Sequence, residues 1–143
     1  MPVTGNMSYY YKRKVSDLAA GGQGYTPPTG LFVGLSLSAL DFSATGGWAG
    51  EVTGAGYLRY SAVNNLVNWV TGLTASGTAY KYNGVDFIFP TALSLWGNVQ
   101  YGYIVDAATN GNALYWFELA TAKAVASGDV FKFPSGSLAI QHT

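Results

Sequence analysis

The feature that most constrains this chain is the steady return of turn-forming residues between short apolar segments. Residues 31–37, 57–63, 84–89, 99–105, 114–119, 130–133 and 137–141 each have the length and composition of a strand. The strongest turn signal is Thr109-Asn110-Gly111-Asn112, at the tip of a hairpin formed by residues 106–112. Short strands at this spacing predict an all-β fold, an antiparallel β-sandwich resembling a jelly roll.

The N-terminal segment follows a different pattern. Pro2, Gly5 and Asn6 disfavour regular structure, so residues 1–7 are predicted to form an extended arm. A short helix is predicted over residues 8–20: Ser8 caps it, Tyr11, Val15 and Leu18 share one face, and residues 21–22 end it. Residues 23–30 then form a rigid linker around a Pro-Pro pair. The predicted organisation is an N-terminal arm and helix over residues 1–25 and a β-sandwich domain over residues 26–143.

The low charge of the chain limits its partners. The 143 residues carry a formal net charge of zero and only 10% are charged, so the basic footprint of a nucleic-acid-binding protein is absent. No apolar run is long enough to cross a membrane, and residues 1–14 lack the apolar stretch of a signal peptide. We therefore expect neither nucleic acid nor membrane as a partner. A chain with so little charge suits a subunit inside an assembly.

The residues needed for catalysis are scarce. There is no cysteine, and His142 is the only histidine, so neither a catalytic triad nor a zinc site can be assembled. No phosphate-binding or dinucleotide-binding motif is present. A glycosidase-type carboxylate pair is possible in principle, but no spacing selects one. We predict no enzyme, no cofactor and no metal. The seven carboxylates are Asp17, Asp41, Glu51, Asp86, Asp106, Glu118 and Asp129.

One basic and aromatic cluster is the main candidate for a binding surface. Tyrosines beside basic residues can contact RNA or DNA, but they are also enriched at protein interfaces, and the interface interpretation is favoured on a neutral protein. The cluster consists of Tyr9, Tyr10, Tyr11, Lys12, Arg13 and Lys14.

A second candidate is a sugar-binding face. Tyr101, Tyr103, Tyr115 and Trp116 alternate along neighbouring strands, although a division between core and interface is the favoured interpretation. Arg59 is expected to be structural, pairing with a carboxylate such as Glu51 and stacking on a tyrosine.

Several segments resemble a family of small phage virion proteins that are labelled as tail-fibre or capsid-decoration proteins. The similarity begins with a short helix, a turn and Pro27-Pro28, and continues with an acidic residue, a glycine pair, Tyr57 and Arg59. Residues 36–47 and 64–82 depart from the family pattern, and we expect particle-specific contacts there. The similar segments are residues 16–28, 31–35, 50–59, 86–90, 96–99, 106–114 and 123–133.

The resemblance implies a non-enzymatic structural protein of the virion. The favoured interpretation is a capsid cement or decoration protein on the outer capsid surface, which binds the major capsid protein and forms a homotrimer with residues 1–25 as the clamp. Under this hypothesis, deletion of residues 1–14 leaves the sandwich folded but releases it from capsids. The alternative is a tail-fibre or receptor-binding protein that binds a glycan.

Overall fold

The computed structural model describes residues 3–141, which form ten strands and one helix. Their order along the chain is β1 (Val3–Met7), α1 (Tyr9–Ala19), β2 (Gly30–Ser36), β3 (Tyr60–Val63), β4 (Trp69–Leu73), β5 (Ala79–Asn83), β6 (Phe87–Ile88), β7 (Gly97–Val105), β8 (Ala113–Val125), β9 (Lys132–Phe133) and β10 (Leu138–Gln141).

The strands form one large sheet and one small sheet. Eight strands pair in the order β3-β2-β7-β8-β1-β10-β5-β4, and β6 pairs with β9. Every pairing is antiparallel except that of β1 with β10. The small sheet covers one face of the large one, where the rings of Phe133 and Phe117 lie 5.4 Å apart, edge to face. The predicted all-β, sandwich-like fold with one short N-terminal helix is confirmed.

The hairpin between β7 and β8 lies where the turn residues predict it. Asn110 and Gly111 adopt positive φ angles of 52° and 74°, which asparagine and glycine tolerate best. A carboxylate oxygen of Asp106 accepts a hydrogen bond from the backbone N–H of Asn112 at 2.7 Å and closes the loop.

The first residues of the chain are the main departure from the prediction. Residues 3–7 form a strand in the middle of the large sheet, where Gly5 is in register with Phe117 of β8 and Ile140 of β10. The packing explains the glycine, because a Cβ atom at residue 5 would lie 1.9 Å from the carbonyl oxygen of Trp116. The extended arm is therefore wrong for residues 3–7. Met1 and Pro2 lie outside the described residues, and the boundary at residue 25 stays a prediction.

The predicted helix is confirmed with its cap. The Ser8 hydroxyl accepts a hydrogen bond from the backbone N–H of Tyr11 at 3.2 Å, and the Ser8 backbone N–H donates to the carbonyl oxygen of Leu114 at 2.8 Å. The chain turns away after Ala20, and Gly22 has a φ of 64°. Ser8 thus starts the helix and also attaches it to β8.

The central part of the large sheet is covered on both faces. On one face, phenylalanines of the small sheet and its flanks pack on Phe117, while on the other face Tyr103 packs under Trp48 with ring centroids 4.4 Å apart. Asn83 joins the two sheets, because its side-chain amide donates to the carbonyl oxygen of Phe133 at 3.0 Å and its oxygen accepts from the N–H of Leu138 at 2.9 Å. The loop of residues 37–59 covers the second face.

Candidate functional site

Helix α1 carries all six residues of the predicted basic and aromatic cluster, but it does not present them all to solvent. Tyr11 packs on the domain, with its ring centroid 5.2 Å from that of Tyr115 and 5.9 Å from that of Tyr25. Burial raises the pKa of Tyr115, and the neighbouring Tyr11 raises it further. Tyr11 therefore belongs to the domain's own packing.

Tyr9 faces away from that contact. Its side chain is 60% exposed, and its ring centroid lies 5.8 Å from that of Phe42, which in turn lies 5.1 Å from that of Trp116. These three rings form an aromatic row from the helix onto the second face of the large sheet. Because Tyr9 and Phe42 are both exposed, the outer end of this row is open to a partner.

The basic residues of α1 remain at the surface. The Lys14 ammonium lies 5.5 Å from the ring centroid of Tyr10, and Arg13 faces Asp17 with 3.7 Å between Nε and Oδ2. Exposed pairs of this kind contribute little to stability, so they leave the positive charge available to a partner. The structure brings the cluster onto one short helix, and its interface role stays a prediction.

The apolar face of α1 is only partly covered. Tyr11, Val15 and Leu18 share this face, but Val15 and Leu18 are 39% and 53% exposed. The domain supports the first turn of the helix, and the later turns extend past it. No side chain of α1 is fully buried. The uncovered half, Val15 and Leu18, is called the α1 stripe below.

Further apolar side chains are exposed elsewhere on the described part of the chain. A hydrogen bond of 3.0 Å from the backbone N–H of Leu93 to the carbonyl oxygen of Ala55 connects the segments around these two residues. Leucine side chains project to the surface from both segments. The exposed side chains within residues 64–82 lie where the sequence predicted particle-specific contacts, which stay a prediction. No sequence signal marked Leu58, Leu93 or Leu95 as exposed. The most exposed are Leu58, Leu66, Val67, Leu73, Leu93 and Leu95.

Arg59 is structural, as predicted. Its Nε and one terminal nitrogen bind the two carboxylate oxygens of Glu51 at 2.7 and 3.0 Å, and the other terminal nitrogen donates to the carbonyl oxygens of Ala107 and Asn110. The guanidinium stacks on Trp48, 4.7 Å from its ring centroid, and not on a tyrosine as predicted. Arg59 therefore fixes the loop of residues 37–59 to the β7–β8 hairpin.

The four aromatics of the predicted sugar-binding face do not form one surface. Tyr103 and Trp116 are opposite each other in the antiparallel register and share a face, whereas Tyr115 points to the other face. Tyr103 is also buried. The alternation of these residues along the strands predicted a shared face, but the pairing of β7 with β8 places Tyr115 on the face opposite to Tyr103 and Trp116.

Several of the possible catalytic groups have structural roles, and the histidine lies outside the described residues. Asp106 and Asp129 accept hydrogen bonds from the backbone N–H groups of their own turns, as predicted. His142 lies outside the described residues. Among residues 3–141, no three possible metal ligands lie together, and no helix has the length and hydropathy to cross a membrane.

A family model described as podophage GP4 fiber I protein gp80 matches residues 6–141. The matched range includes α1 and nine of the strands in full. No curated protein matches the chain.

Proposed function

Because the chain belongs to the podophage GP4 fiber I protein gp80 family, and is therefore a structural protein of the tailed-phage virion, we propose that it is a fibre subunit of the tail. In this role it joins neighbouring virion proteins through its surface and performs no catalysis. The description of the family as a fibre protein favours a fibre over the capsid cement predicted from the sequence. The cement role, the major capsid protein as partner and the homotrimer stay predictions.

The observation that carries this proposal is the amount of uncovered apolar surface on a weakly charged chain. Soluble monomers rarely leave apolar side chains grouped at the surface, and grouped ones mark contact sites. Here the α1 stripe continues an apolar face that the domain covers only at Tyr11. A neighbouring subunit that packs on the stripe would complete the burial of this face.

The position of β1 inside the large sheet supports α1 as the attachment element. Residues 3–7 are paired on both sides within the large sheet, so they are not free to reach a neighbour. Helix α1 follows directly and carries the stripe together with basic residues at the surface. We therefore assign the contact with neighbouring subunits to α1.

Two measurements test the proposal. Immunogold electron microscopy of virions locates the protein, and label on the fibres supports the fibre role whereas label on the head contradicts it. A phage carrying Val15→Ser and Leu18→Ser tests the contact, with Ser16→Ala on the exposed side of the same helix as the matched control. We expect the double variant to be lost from purified virions and the control to be retained. Incorporation of both at wild-type occupancy would refute the assignment to α1.

A further inference from the structure

A cavity of about 330 Å³ lies between helix α1, the segment of residues 25–28 and one face of the large sheet. Its floor is apolar and consists of Leu31, Leu114 and Ile140, which are all buried. The volume is at the small end of the range for ligand sites, which suits a short ligand.

Aromatic rings form the walls of this cavity. Tyr11, Tyr25, Trp69 and Tyr115 all line it. Trp69 packs on Phe87, with ring centroids 5.1 Å apart and an angle of 69° between the ring planes, so its orientation is fixed by the core. Such rings offer flat apolar surfaces, and the tyrosines add a polar tip. The C–H face of a sugar ring packs well on a surface of this kind.

Polar groups with unused hydrogen-bonding capacity lie at the same cavity. Asn64 donates its amide to the carbonyl oxygen of Pro28 at 2.9 Å, which leaves its side-chain oxygen without a partner among residues 3–141. Asn65 accepts from the N–H groups of residues 67 and 68, which leaves its amide N–H₂ without a partner in the same range. Lys81 also lines the cavity and uses one of its three N–H donors on Thr71.

This combination matches the chemistry of a carbohydrate. Each sugar hydroxyl can donate and accept, and the cavity offers an acceptor on Asn64 and donors on Asn65 and Lys81 beside aromatic walls. Lys81 is the one charged side chain among the described residues that line it. The hydroxyl of Tyr25 is protonated at physiological pH and can donate, and burial raises its pKa further, from 10.0 to about 12.

We propose that this cavity binds a short carbohydrate segment of one or two sugar residues. The source of such a glycan, a bacterial surface, rests on the proposed fibre role, whereas the binding chemistry does not. The site differs from the sugar-binding face predicted from the sequence and shares only Tyr115 with it.

A glycan array probed with the purified full chain tests the proposal. The array carries neutral, N-acetylated and uronic-acid-containing oligosaccharides, and calorimetry then measures the affinity for the best ligand. We expect Tyr25→Ala and Lys81→Gln each to weaken binding by about tenfold, the loss that follows from removing one aromatic or charged contact. Tyr9→Ala is the matched control, because it removes an exposed aromatic on α1 outside the cavity, and it should bind as the wild type does.

Three results would overturn the proposal: an array without any binding, binding that neither cavity variant weakens, or binding of a proline-rich aromatic peptide with no binding of sugars. Thermal unfolding shows whether each variant is folded. Lys81 is only half-buried, so Lys81→Gln provides the test if Tyr25→Ala does not fold. The result is separate from the test of the fibre role. Sugar binding by a protein located on the head would support the cavity and refute the fibre assignment.

Discussion

Replacing Gly5 with alanine should destabilise the whole sheet. The new Cβ would lie 1.9 Å from the carbonyl oxygen of Trp116 and 2.9 Å from Cβ of Phe117. Because β1 is paired with β8 on one side and β10 on the other, it cannot move away without breaking one of the two ladders. Overpacking of a core costs about 1–3 kcal/mol, and each lost ladder hydrogen bond adds about 1 kcal/mol. We expect a loss of about 4 kcal/mol.

Thermal and urea unfolding followed by circular dichroism measure this loss. For a domain of this size, 4 kcal/mol corresponds to a melting temperature lower by roughly 10–15 °C. Gly24→Ala is the matched control, since a Cβ there meets no atom within 4 Å, and it should stay within about 0.5 kcal/mol of the wild type. If both variants melted with the wild type, residues 3–7 would be a free arm after all. Deletion of residues 1–14 would then leave a folded sandwich, as the sequence predicts, whereas the structure predicts unfolding.

Two further predictions concern buried polar groups. Arg59→Ala should lower the free energy of unfolding, measured by urea denaturation, by about 3 kcal/mol, because it leaves Glu51 without its bidentate partner. A loss below ~1 kcal/mol would contradict this structural role. Alkaline pH should also destabilise the fold. Tyr25 has a pKa of about 12 in the folded protein, whereas in the unfolded chain its pKa is near 10.0. Its contribution to stability is therefore complete below pH 10 and is lost as the pH rises through 12. Tyr57 and Tyr115 act in the same direction, and an unchanged melting temperature across this window would refute the prediction.

Local signals predicted the elements whose stability is local. Ser8 caps α1 through a bond to a residue three positions away, and the turn at Asn110 and Gly111 closes a hairpin between adjacent strands. Strand β1 was not predictable in this way. Gly5 and Asn6 have poor strand propensity, and only the contact with β8 and β10, more than a hundred residues later, makes the small residue necessary.

The same limit applies to the surface sites. The sequence identifies the tyrosines of α1, but only the position of Tyr115 determines that Tyr11 packs inward while Tyr9 stays exposed. The cavity is harder still to predict, because Tyr25, Trp69 and Lys81 belong to three separate segments. No spacing in the sequence connects them. The pairing of Arg59 with Glu51 was predictable from opposite charge, whereas its stacking on Trp48 depended on the path of a long loop.

The parallel pairing of β1 with β10 also determines when this protein can finish folding. Val3 is in register with Leu138, and the other neighbour of β1 begins only at Ala113. During synthesis, the first strand leaves the ribosome long before either neighbour exists, and pairing between such distant residues is slow. The slot between β8 and β10 therefore stays empty until almost all of residues 3–141 have been made. Completion of the sheet, and with it the support under α1, is a late event that must precede assembly into the particle.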